Sequence, residues 1–401
     1  MLIVQKYGGT SVGDLSRIEN VAKRVAKNKS EGNSIVAVVS AMSGETNKLI
    51  EYAHHFSKNP SKREMDMLLS SGERVTASLL AIALQEMGYD AVAMTGRQAG
   101  IQTDSYHTFA RIESINTKAI NVELSRDKIV IIAGFQGINK EGSVTTLGRG
   151  GSDLSAVAIA GALDADACEI YSDVDGIYTT DPRIEPKAKK LDYISYDEML
   201  ELSSLGAKVL QSRSVELAKK MGVKIVAKSS FNDNEGTIIA EEKKDMEEVL
   251  VSGVALDKNQ ARVSLREVSD RPGVAAEIFT KLSEAQINVD MIIQNASNDG
   301  TTNLGFTVPH NEIEITKELI ESFGNDVGSV DFDESICKVS VVGVGMKSHS
   351  GVAATAFSAL ADAGINIEMI STSEIKISMV VDEVHGERAV KVLHSAYDLD
   401  K

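Results

Sequence analysis

A segment near the C-terminus occurs twice, and the two copies are separated by a constant 78 positions. The first copy covers 273–276 (GVAA) and 285–292 (AQINVDMI), and the second covers 351–354 (GVAA) and 363–370 (AGINIEMI). Each copy reads as a glycine-led turn, an amphipathic helix and a β-branched strand, which together begin a βαββαβ ferredoxin-like unit. The sequence therefore predicts two small modules of one fold, and their position behind a larger segment is typical of a sensor attached to a catalyst.

The residues before the repeats follow another pattern, in which short apolar runs alternate with helical periodicity. The runs lie at 2–4, 35–39, 91–94, 129–133, 167–171 and 224–227. Short strands separated by helices predict a mostly parallel sheet that helices cover on both faces, so we expect an α/β fold. A further strand at 249–255 precedes the first repeat and has no counterpart before the second, which leaves open that the modules share or exchange a strand.

Two polar stretches divide the chain. The charged segment 241–245 (EEKKD) ends the alternating pattern, and a second stretch near 331–335 separates the repeats. They predict a catalytic domain over 1–244, a first ferredoxin-like module over 245–334 and a second over 335–401.

Composition limits the partners. The chain has 401 residues and a formal net charge of -16, which no long Lys or Arg stretch offsets, so nucleic acids and anionic membranes are not expected as main partners. Apolar runs such as 129–133 are too short to cross a membrane, and the N-terminus lacks a leader pattern, so we expect a cytoplasmic protein. Cys168 and Cys337 lie far apart and the seven His residues follow no metal-ligand spacing, which predicts free thiols and no metal site built from the protein.

The first predicted strand leads into Lys6, Gly8 and Gly9, and a helix follows from about Ser16. Adjacent glycines let the backbone approach phosphate oxygens closely, the N–H groups of a loop and helix start bind anions, and Lys6 adds a positive charge. The spacing matches neither the common ATPase loop nor the dinucleotide-binding loop. A phosphate-binding loop and an ordinary glycine turn are equal alternatives on this motif alone.

Two further segments combine glycine with charged side chains. The segment 145–153 (TTLGRGGSD) places Arg149 ahead of an apolar helix, where a guanidinium suits a carboxylate or phosphate. In the same segment, Asp153 either orients Lys6 or a metal, or simply caps the helix. The segment 171–183 (YSDVDGIYTTDPR) follows a strand, which is where open α/β sheets place their ligand loops.

Together these three segments, in this order and followed by tandem repeats, resemble the aspartate kinases of the amino acid kinase superfamily, and the repeats resemble ACT domains. The resemblance covers essentially the whole chain and is closest to the single-function, lysine-sensitive bacterial type. It implies ATP-dependent phosphorylation of the β-carboxylate of L-aspartate with Mg²⁺, the entry step to lysine, threonine and methionine synthesis. The alternative is a catalytically inactive amino-acid sensor with a kinase-like domain; rival kinases such as glutamate 5-kinase or acetylglutamate kinase do not normally end in tandem ACT domains.

The resemblance also implies roles for individual residues. It assigns aspartate binding to Ser40, Thr46, Glu73, Arg149 and Ser152. It assigns ATP binding to Lys6, Gly8, Gly9, Ser172, Asp173, Tyr178, Arg183 and Lys208, and catalysis to Lys6, Asp153 and Lys208. Glu73 lies in an otherwise apolar helix, so a solvated helix face is a competing interpretation for it.

The repeats imply regulation by lysine, threonine or both. The effector is expected where the first module of one chain meets the second module of a partner chain, which implies at least a homodimer. The residues involved are Asp270, Gly273, Ala275 and Gln294 on one side and Asn366 and Ile367 on the other. An alternative is that Asn366 and its counterpart Asn288 are only turn residues.

The sequence departs from the family pattern at two places. Gln211-Ser212 stands where His-Pro is usual after the Lys208 segment, and Ser350 stands where a proline commonly precedes the repeat glycine. Neither replaces an implied ligand, but both leave the local loop geometry open.

Overall fold

The computed structural model describes residues 1–204, 209–242, 251–295, 300–323, 327–347 and 351–401. The chain forms two compact units: the first comprises Met1–Tyr178 and Lys190–Met246, and the second comprises Thr179–Lys189 and Glu247–Lys401. The predicted end of the catalytic domain at 244 falls two positions before Met246, where the first unit ends. However, the segment Thr179–Lys189, which lies inside the predicted domain 1–244, belongs to the second unit.

The secondary structure of the first unit has the following bounds. Its strands are β1 (Leu2–Tyr7), β2 (Ser34–Val39), β3 (Ala91–Met94), β4 (Ile101–Thr103), β5 (Ile112–Ile115), β6 (Ile129–Ala133), β7 (Gln136–Ile138), β8 (Val144–Thr146), β9 (Ala167–Ser172), β10 (Tyr193–Ser195), β11 (Ile225–Ser229) and β12 (Thr237–Ala240). Its helices are α1 (Leu15–Ser30), α2 (Glu45–Phe56), α3 (Lys62–Leu69), α4 (Ser71–Glu86), α5 (Lys118–Ser125), α6 (Gly151–Ala162), α7 (Tyr196–Ser204) and α8 (Ser212–Met221).

Eight of these strands form one sheet in the order β10-β12-β11-β9-β1-β2-β6-β3. The six apolar runs predicted as strands are all present in it and pair in parallel, whereas β12 runs antiparallel to β11. The strands β4, β5, β7 and β8 form a separate small sheet. The prediction of a mostly parallel α/β sheet is therefore confirmed.

The side chains of β1 alternate between the two faces of the large sheet, as they do in any strand. Ile3 and Tyr7 belong to an apolar cluster that also contains side chains of α1 and α4. Val4 and Lys6 therefore point to the opposite face, which α6 contacts. Because α6 is buried from Gly151 to Ala160, the face that carries Lys6 is shielded from water.

The helical stretch Lys62–Glu86, which spans α3 and α4, is long and apolar enough to cross a membrane when only length and composition are considered. Half of its most apolar window is buried inside the protein. Since α4 packs against β3 and β6, the core of the first unit accounts for its apolar side.

The second unit contains two small antiparallel sheets and the helices that pack on them. Its strands are β13 (Gly253–Asp257), β14 (Ala261–Ser269), β15 (Ile292–Asn295), β16 (Thr301–Val308), β17 (Ser329–Asp333), β18 (Ile336–Val342), β19 (Met369–Thr372) and β20 (Lys376–Asp382). Its helices are α9 (Val274–Glu284), α10 (Ile313–Glu321), α11 (Val352–Asp362) and α12 (Gly386–Ala396). The sheet orders are β15-β16-β14-β17 and β13-β18-β20-β19.

The two repeats fold alike, as their sequences predict. Gly273 and Gly351 precede α9 and α11 with φ angles of 101° and 108°, a left-handed region that favours glycine. In each repeat the helix is followed by an edge strand, β15 or β19, and then by a central strand. Two ferredoxin-like modules are therefore present.

The strand before the first repeat does not belong to the first repeat. β13 pairs antiparallel with β18 of the second repeat, from Gly253 opposite Val342 to Asp257 opposite Lys338. The division at 334, which grouped this strand with the first module, is corrected by this pairing. Of the two possibilities left open, the structure adopts the exchange of a strand, because β13 completes the second sheet and, among the described residues, pairs with no strand of the first.

Candidate functional site

The carboxyl ends of β1, β2, β6 and β9 lie along one edge of the large sheet, because these strands are parallel. Open α/β sheets bind ligands at such an edge, where the loops leave the strands. The loops here begin with Gly8, Ser40, Gly134 and Asp173. The predicted ligands Gly8, Gly9, Ser40 and Asp173 are therefore carried by loops that leave the same edge of the sheet, although they are far apart in sequence.

Lys6 and Asp153 form the central contact of this edge. The Lys6 Nζ lies 2.5 Å from the Asp153 Oδ1, and the two side chains retain only 11% and 9% of their exposure. The N-cap residue of α6 is Gly150, and the described residues give this helix start no side-chain cap hydrogen bond, so Asp153 serves as the partner of Lys6 and not as a helix cap. The pair fixes the ammonium group at the end of β1.

The two glycines after β1 are held close to other groups. The Gly8 N–H donates to the Tyr171 carbonyl oxygen at 3.2 Å, and a Cβ on Gly8 would lie 3.3 Å from the Lys6 Nζ. A Cβ on Gly9 would lie 3.1 Å from the Ala41 carbonyl oxygen. A side chain at either position would crowd the Lys6 ammonium group or the loop after β2. An ordinary turn does not by itself require glycine for this reason.

Glu73 is buried in the first turn of α4 and is only 4% exposed, so a solvated helix face is wrong for this residue. Its Oε1 accepts from the Ala41 N–H at 3.2 Å, next to Ser40. Its Oε2 is buried and has no hydrogen-bond partner among the described residues. Burial raises the pKa of Glu73 to about 7. A buried carboxylate oxygen without a partner is costly, so this atom is suited to receive a cationic ligand.

Arg149 is exposed and lies between two left-handed glycines, Gly148 (φ 78°) and Gly150 (φ 73°). A Cβ on Gly150 would come within 1.8 Å of the Gln211 Cγ, and one on Gly148 within 2.5 Å of the Phe109 ring. Gln211, at which the sequence departs from the family pattern, therefore packs against the loop 147–150 that carries Arg149, called the arginine loop below. Glycine at position 150 leaves the space that the Gln211 side chain fills.

The remaining residues that are predicted to bind aspartate are Ser152, Ser40 and Thr46. Ser152 is 7% exposed in α6, and its Oγ is 2.9 Å from where a Cβ on Gly134 would be. Ser40 is half-buried after β2, and its N–H donates to the Tyr7 carbonyl oxygen at 3.1 Å. Thr46 is half-buried in the first turn of α2.

The structure also points to residues that the sequence analysis missed. Phe135 lies two positions after the end of β6 and has a φ of 68°, and its N–H donates to the Ser155 Oγ at 3.1 Å. Its ring atoms would lie 2.9 Å from a Cβ on Gly151, so it packs on the start of α6. A positive φ at a bulky residue is an unusual conformation that marks functional loops. The adjacent Gly134, directly after a buried strand, was an available signal for this position.

A second missed residue, Asp66, supports the arginine loop from α3. It is fully buried and accepts from the Thr146 Oγ1 at 2.5 Å and the Thr108 N–H at 3.0 Å, and it lies 2.7 Å from the His107 Nδ1. Thr146 ends β8, three positions before Arg149. Asp66 therefore ties the strand that leads into the arginine loop to the helix before Glu73.

The predicted nucleotide segment is divided between the two units. Ser172 is half-buried and Asp173 exposed at the end of β9, and the Tyr178 hydroxyl donates to the Asp175 Oδ1 at 2.7 Å. This hydrogen bond is the main reason that the pKa of Tyr178 rises to about 12. Arg183 lies in the second unit, where it is exposed and pairs with Asp181. Lys208 lies outside the described residues.

The predicted effector residues lie on the two modules of the second unit. The Asp270 N–H donates to the Gly300 carbonyl oxygen at 2.9 Å, and Gly273 and Ala275 form the start of α9. Gln294 is exposed on the edge strand β15. Asn366 is exposed and Ile367 half-buried just before the other edge strand, β19. Ser350 lies outside the described residues.

The chain matches known families over most of its length. Residues 1–229 match the amino acid kinase family, and residues 265–322 and 339–397 match the ACT domain. It is 59% identical to an aspartokinase of Helicobacter pylori, with all of both chains covered. It is 48% identical to an aspartokinase of Corynebacterium glutamicum, covering 99% of this chain and 96% of that relative.

Solved structures of the same kind superpose on the chain. Escherichia coli aspartokinase III in complex with aspartate and ADP (R-state) gives a TM-score of 0.81 at 25% identity over 99% of both chains. The same enzyme in complex with lysine and aspartate (T-state) gives 0.79 at 26% identity, over 98% of this chain and 99% of the other.

Proposed function

The chain belongs to the aspartate kinases of the amino acid kinase family, and on that premise we propose how its residues phosphorylate L-aspartate with ATP. The product is 4-phospho-L-aspartate. A bond forms between a β-carboxylate oxygen of aspartate and the γ-phosphorus, and the bond from that phosphorus to the bridging oxygen of ADP breaks. The β-carboxylate has an ordinary pKa of about 3.9 and is already ionised at neutral pH, so no general base is needed.

Catalysis then rests on alignment and on neutralising the charge of the transferring group. Lys6 is the donor for the phosphate oxygens, and Asp153 holds its ammonium group in place at 2.5 Å. Gly8 and Gly9 leave the backbone accessible next to Lys6. Lys208 is proposed as a second cation for the leaving ADP, and Asp173 and Tyr178 as further nucleotide ligands.

The α-amino and α-carboxylate groups of aspartate have separate partners in this proposal. Glu73 receives the ammonium and Arg149 the carboxylate, with Ser40, Thr46 and Ser152 as further hydrogen-bonding groups. The observation that carries the proposal is the buried, unpartnered Oε2 of Glu73. An ATP-dependent hydroxamate assay with aspartate tests it, because an inactive sensor, the alternative, would yield no acyl phosphate for hydroxylamine to trap.

Mg²⁺ supplies charge neutralisation on the nucleotide phosphates in reactions of this class. Among the described residues, no group of three or more His, Cys, Asp or Glu side chains could hold a metal ion. Asp153 is paired with Lys6, whereas Asp173 is exposed after β9. We propose that the phosphates and water hold most of the ion, with Asp173 as the available carboxylate, since Mg²⁺ commonly binds in this way.

Replacing Arg149 by lysine should raise the KM for aspartate about tenfold and leave the KM for ATP nearly unchanged. Lysine keeps the charge but cannot make the two parallel hydrogen bonds of a guanidinium to a carboxylate. Steady-state kinetics with each substrate varied in turn measures the effect. Equal losses for both substrates would place Arg149 on the phosphates instead.

We further propose that the two modules bind lysine, threonine or both at an interface between two chains, as expected from the sequence. The E. coli structure with lysine supports an amino-acid effector. Entry into lysine and threonine synthesis and a cytoplasmic location are proposed on the same family basis. The exposed edge strands β15 and β19 carry or adjoin Gln294 and Asn366, where a second chain has access to them.

Replacing Asn366 or Gln294 by alanine should relieve inhibition without lowering the uninhibited kcat. An effector shifts the active and inactive populations only through its differential affinity for them, so losing contacts of the inhibited state raises the inhibitory concentration. The expected shift is about fivefold or more. Inhibition curves with lysine and threonine, singly and together, provide the measurement, and wild-type curves in both variants would remove the effector from this interface.

A further inference from the structure

We propose that His394, in helix α12 of the second unit, positions the nucleotide ligand Tyr178 through a buried hydrogen bond to Thr179. This inference rests on the proposed role of Tyr178 in ATP binding. It assigns a part in substrate binding to a residue of the sensing unit, far in sequence from every catalytic motif.

The segment Thr179–Lys189 belongs to the second unit, although the residues on both sides of it in the chain belong to the first. Tyr178 and Lys190, which flank it, both belong to the first unit and form an antiparallel bridge with each other. The two ends of the segment are therefore held side by side. Because Thr179 and Tyr178 are adjacent in the chain, a shift of the Thr179 backbone changes the position of Tyr178.

The second unit holds this segment as part of its own core. Ile184 packs against the apolar cluster of the second module, which also contains Leu393 and Val390 of α12. The Val254 N–H donates to the Thr179 carbonyl oxygen at 2.7 Å, and Lys187 lies 3.7 Å from Asp400. The segment is thus packed, hydrogen-bonded and charge-paired inside the second unit.

His394 lies where the two ends of the segment Thr179–Lys189 meet. Its Nε2 lies 2.9 Å from the Thr179 Oγ1, and the two residues are only 1% and 5% exposed. The same hydroxyl accepts from the Lys189 N–H at 3.0 Å, and the Thr179 N–H donates to the Lys189 carbonyl oxygen at 2.9 Å. The imidazole therefore contacts a side chain that joins both ends of the segment, and its bond orients the residue next to Tyr178.

The bond also has a place in regulation. The apolar cluster that packs Ile184 contains Ile365, which adjoins the proposed effector residue Asn366 in the chain, and Ile367 packs against the same cluster. A rearrangement of that core reaches Thr179 through Ile184 and His394. The nucleotide ligand Tyr178 then shifts as well, because it adjoins Thr179 in the chain.

The test is a double-mutant cycle in the full-length enzyme, with His394→Leu and Thr179→Val. Breaking the His394–Thr179 hydrogen bond should raise the KM for ATP about fivefold in His394→Leu, with the KM for aspartate unchanged. The rise should be at least as large in Thr179→Val, which also removes the acceptor of the Lys189 N–H. The double variant should show no larger rise than Thr179→Val alone, because the bond that His394→Leu removes is then already absent. Additive effects, or an unchanged KM for ATP in both single variants, would overturn the inference.

A matched control separates positioning from stability. Tyr397, just after α12, donates to the Val352 carbonyl oxygen at 2.7 Å, so Tyr397→Phe removes a hydrogen bond of the same core without contacting Thr179. It should lower the melting temperature to a similar extent as His394→Leu and leave the KM for ATP unchanged. A rise equal to that of His394→Leu would show that loss of stability explains the effect and would reject positioning.

Tyr178→Ala separates failure of this inference from failure of the proposed function. A raised KM for ATP in Tyr178→Ala together with a wild-type value in His394→Leu rejects the positioning role alone. An unchanged KM in Tyr178→Ala rejects the nucleotide role of Tyr178, and the inference with it. A raised KM in both variants supports both statements.

Discussion

Replacement of Lys6 by alanine is expected to lower kcat by about a hundredfold or more. The ammonium group lies at the end of β1, fixed by Asp153 and flanked by Gly8, at the edge of the sheet where the ligand loops leave the strands. Losing one preorganised donor to a developing charge costs on the order of 3 kcal/mol in the transition state. Single-turnover and steady-state assays of phosphoryl transfer measure the loss.

Stability must be separated from catalysis in this variant, because Lys6→Ala leaves Asp153 as a buried carboxylate without its cation. Removing one partner of a buried pair destabilises the fold by about 3–5 kcal/mol. The double variant Lys6→Ala, Asp153→Asn removes the orphan charge, so it should regain melting temperature and stay inactive. Near-wild-type kcat in either folded variant would contradict the assignment.

Lys228 offers a matched control on the same sheet. Its Nζ lies 3.1 Å from the Glu169 Oε1, and its neighbour in register on β9 is Tyr171, which faces the α1 side. Lys228→Met therefore removes another lysine–carboxylate pair, but on the face opposite Lys6. It should lower the melting temperature and leave kcat within about twofold.

Replacement of Glu73 by glutamine is expected to raise the KM for aspartate about a hundredfold, with the KM for ATP nearly unchanged. The amide keeps the shape and can still accept from the Ala41 N–H, but it cannot neutralise a buried ammonium group. Loss of a desolvated charge partner typically costs 2–5 kcal/mol, which corresponds to this change. A variant with wild-type aspartate kinetics would remove Glu73 from the site.

The same residue predicts a pH dependence. Burial raises the pKa of Glu73 from its ordinary 4.5 to about 7, so the carboxyl is neutral below pH 7 and cannot pair with the aspartate ammonium. The KM for aspartate should therefore rise as pH falls from about 8 to about 6 in the wild type. Glu73→Gln should show no such rise, and a flat wild-type profile would argue against the assignment.

The pH dependence of stability runs opposite to that of aspartate binding. Between pH 4.5 and about 7 the folded, ligand-free protein keeps a proton on Glu73 that the unfolded chain has released. Stability therefore falls as pH rises through this window, by on the order of 3 kcal/mol in total. Glu73→Gln should melt at a higher temperature than the wild type at pH 8 and at a similar temperature at pH 5. Calorimetry of the two proteins without ligands tests this.

Local pattern alone determined much of this protein. The six apolar runs became the parallel strands of the large sheet, because short, mostly apolar runs that alternate with helices are typical of strands buried on both faces of such a sheet. Gly273 and Gly351 began equivalent helices in the two repeats, since the same local sequence makes the same turn. Gly8, Gly9 and Arg149 were identified because glycine and charge in a loop carry their chemistry within a few residues.

Only the tertiary structure decided which of these elements belong together. β13 pairs with β18 and the segment Thr179–Lys189 packs into the second unit, although sequence order places both with other domains. Burial of Glu73 and its unpartnered oxygen depend on the loop after β2, more than thirty positions away. A strand's sequence specifies which face is apolar but not which edge it joins, because pairing and burial are set by contacts between residues distant in the chain.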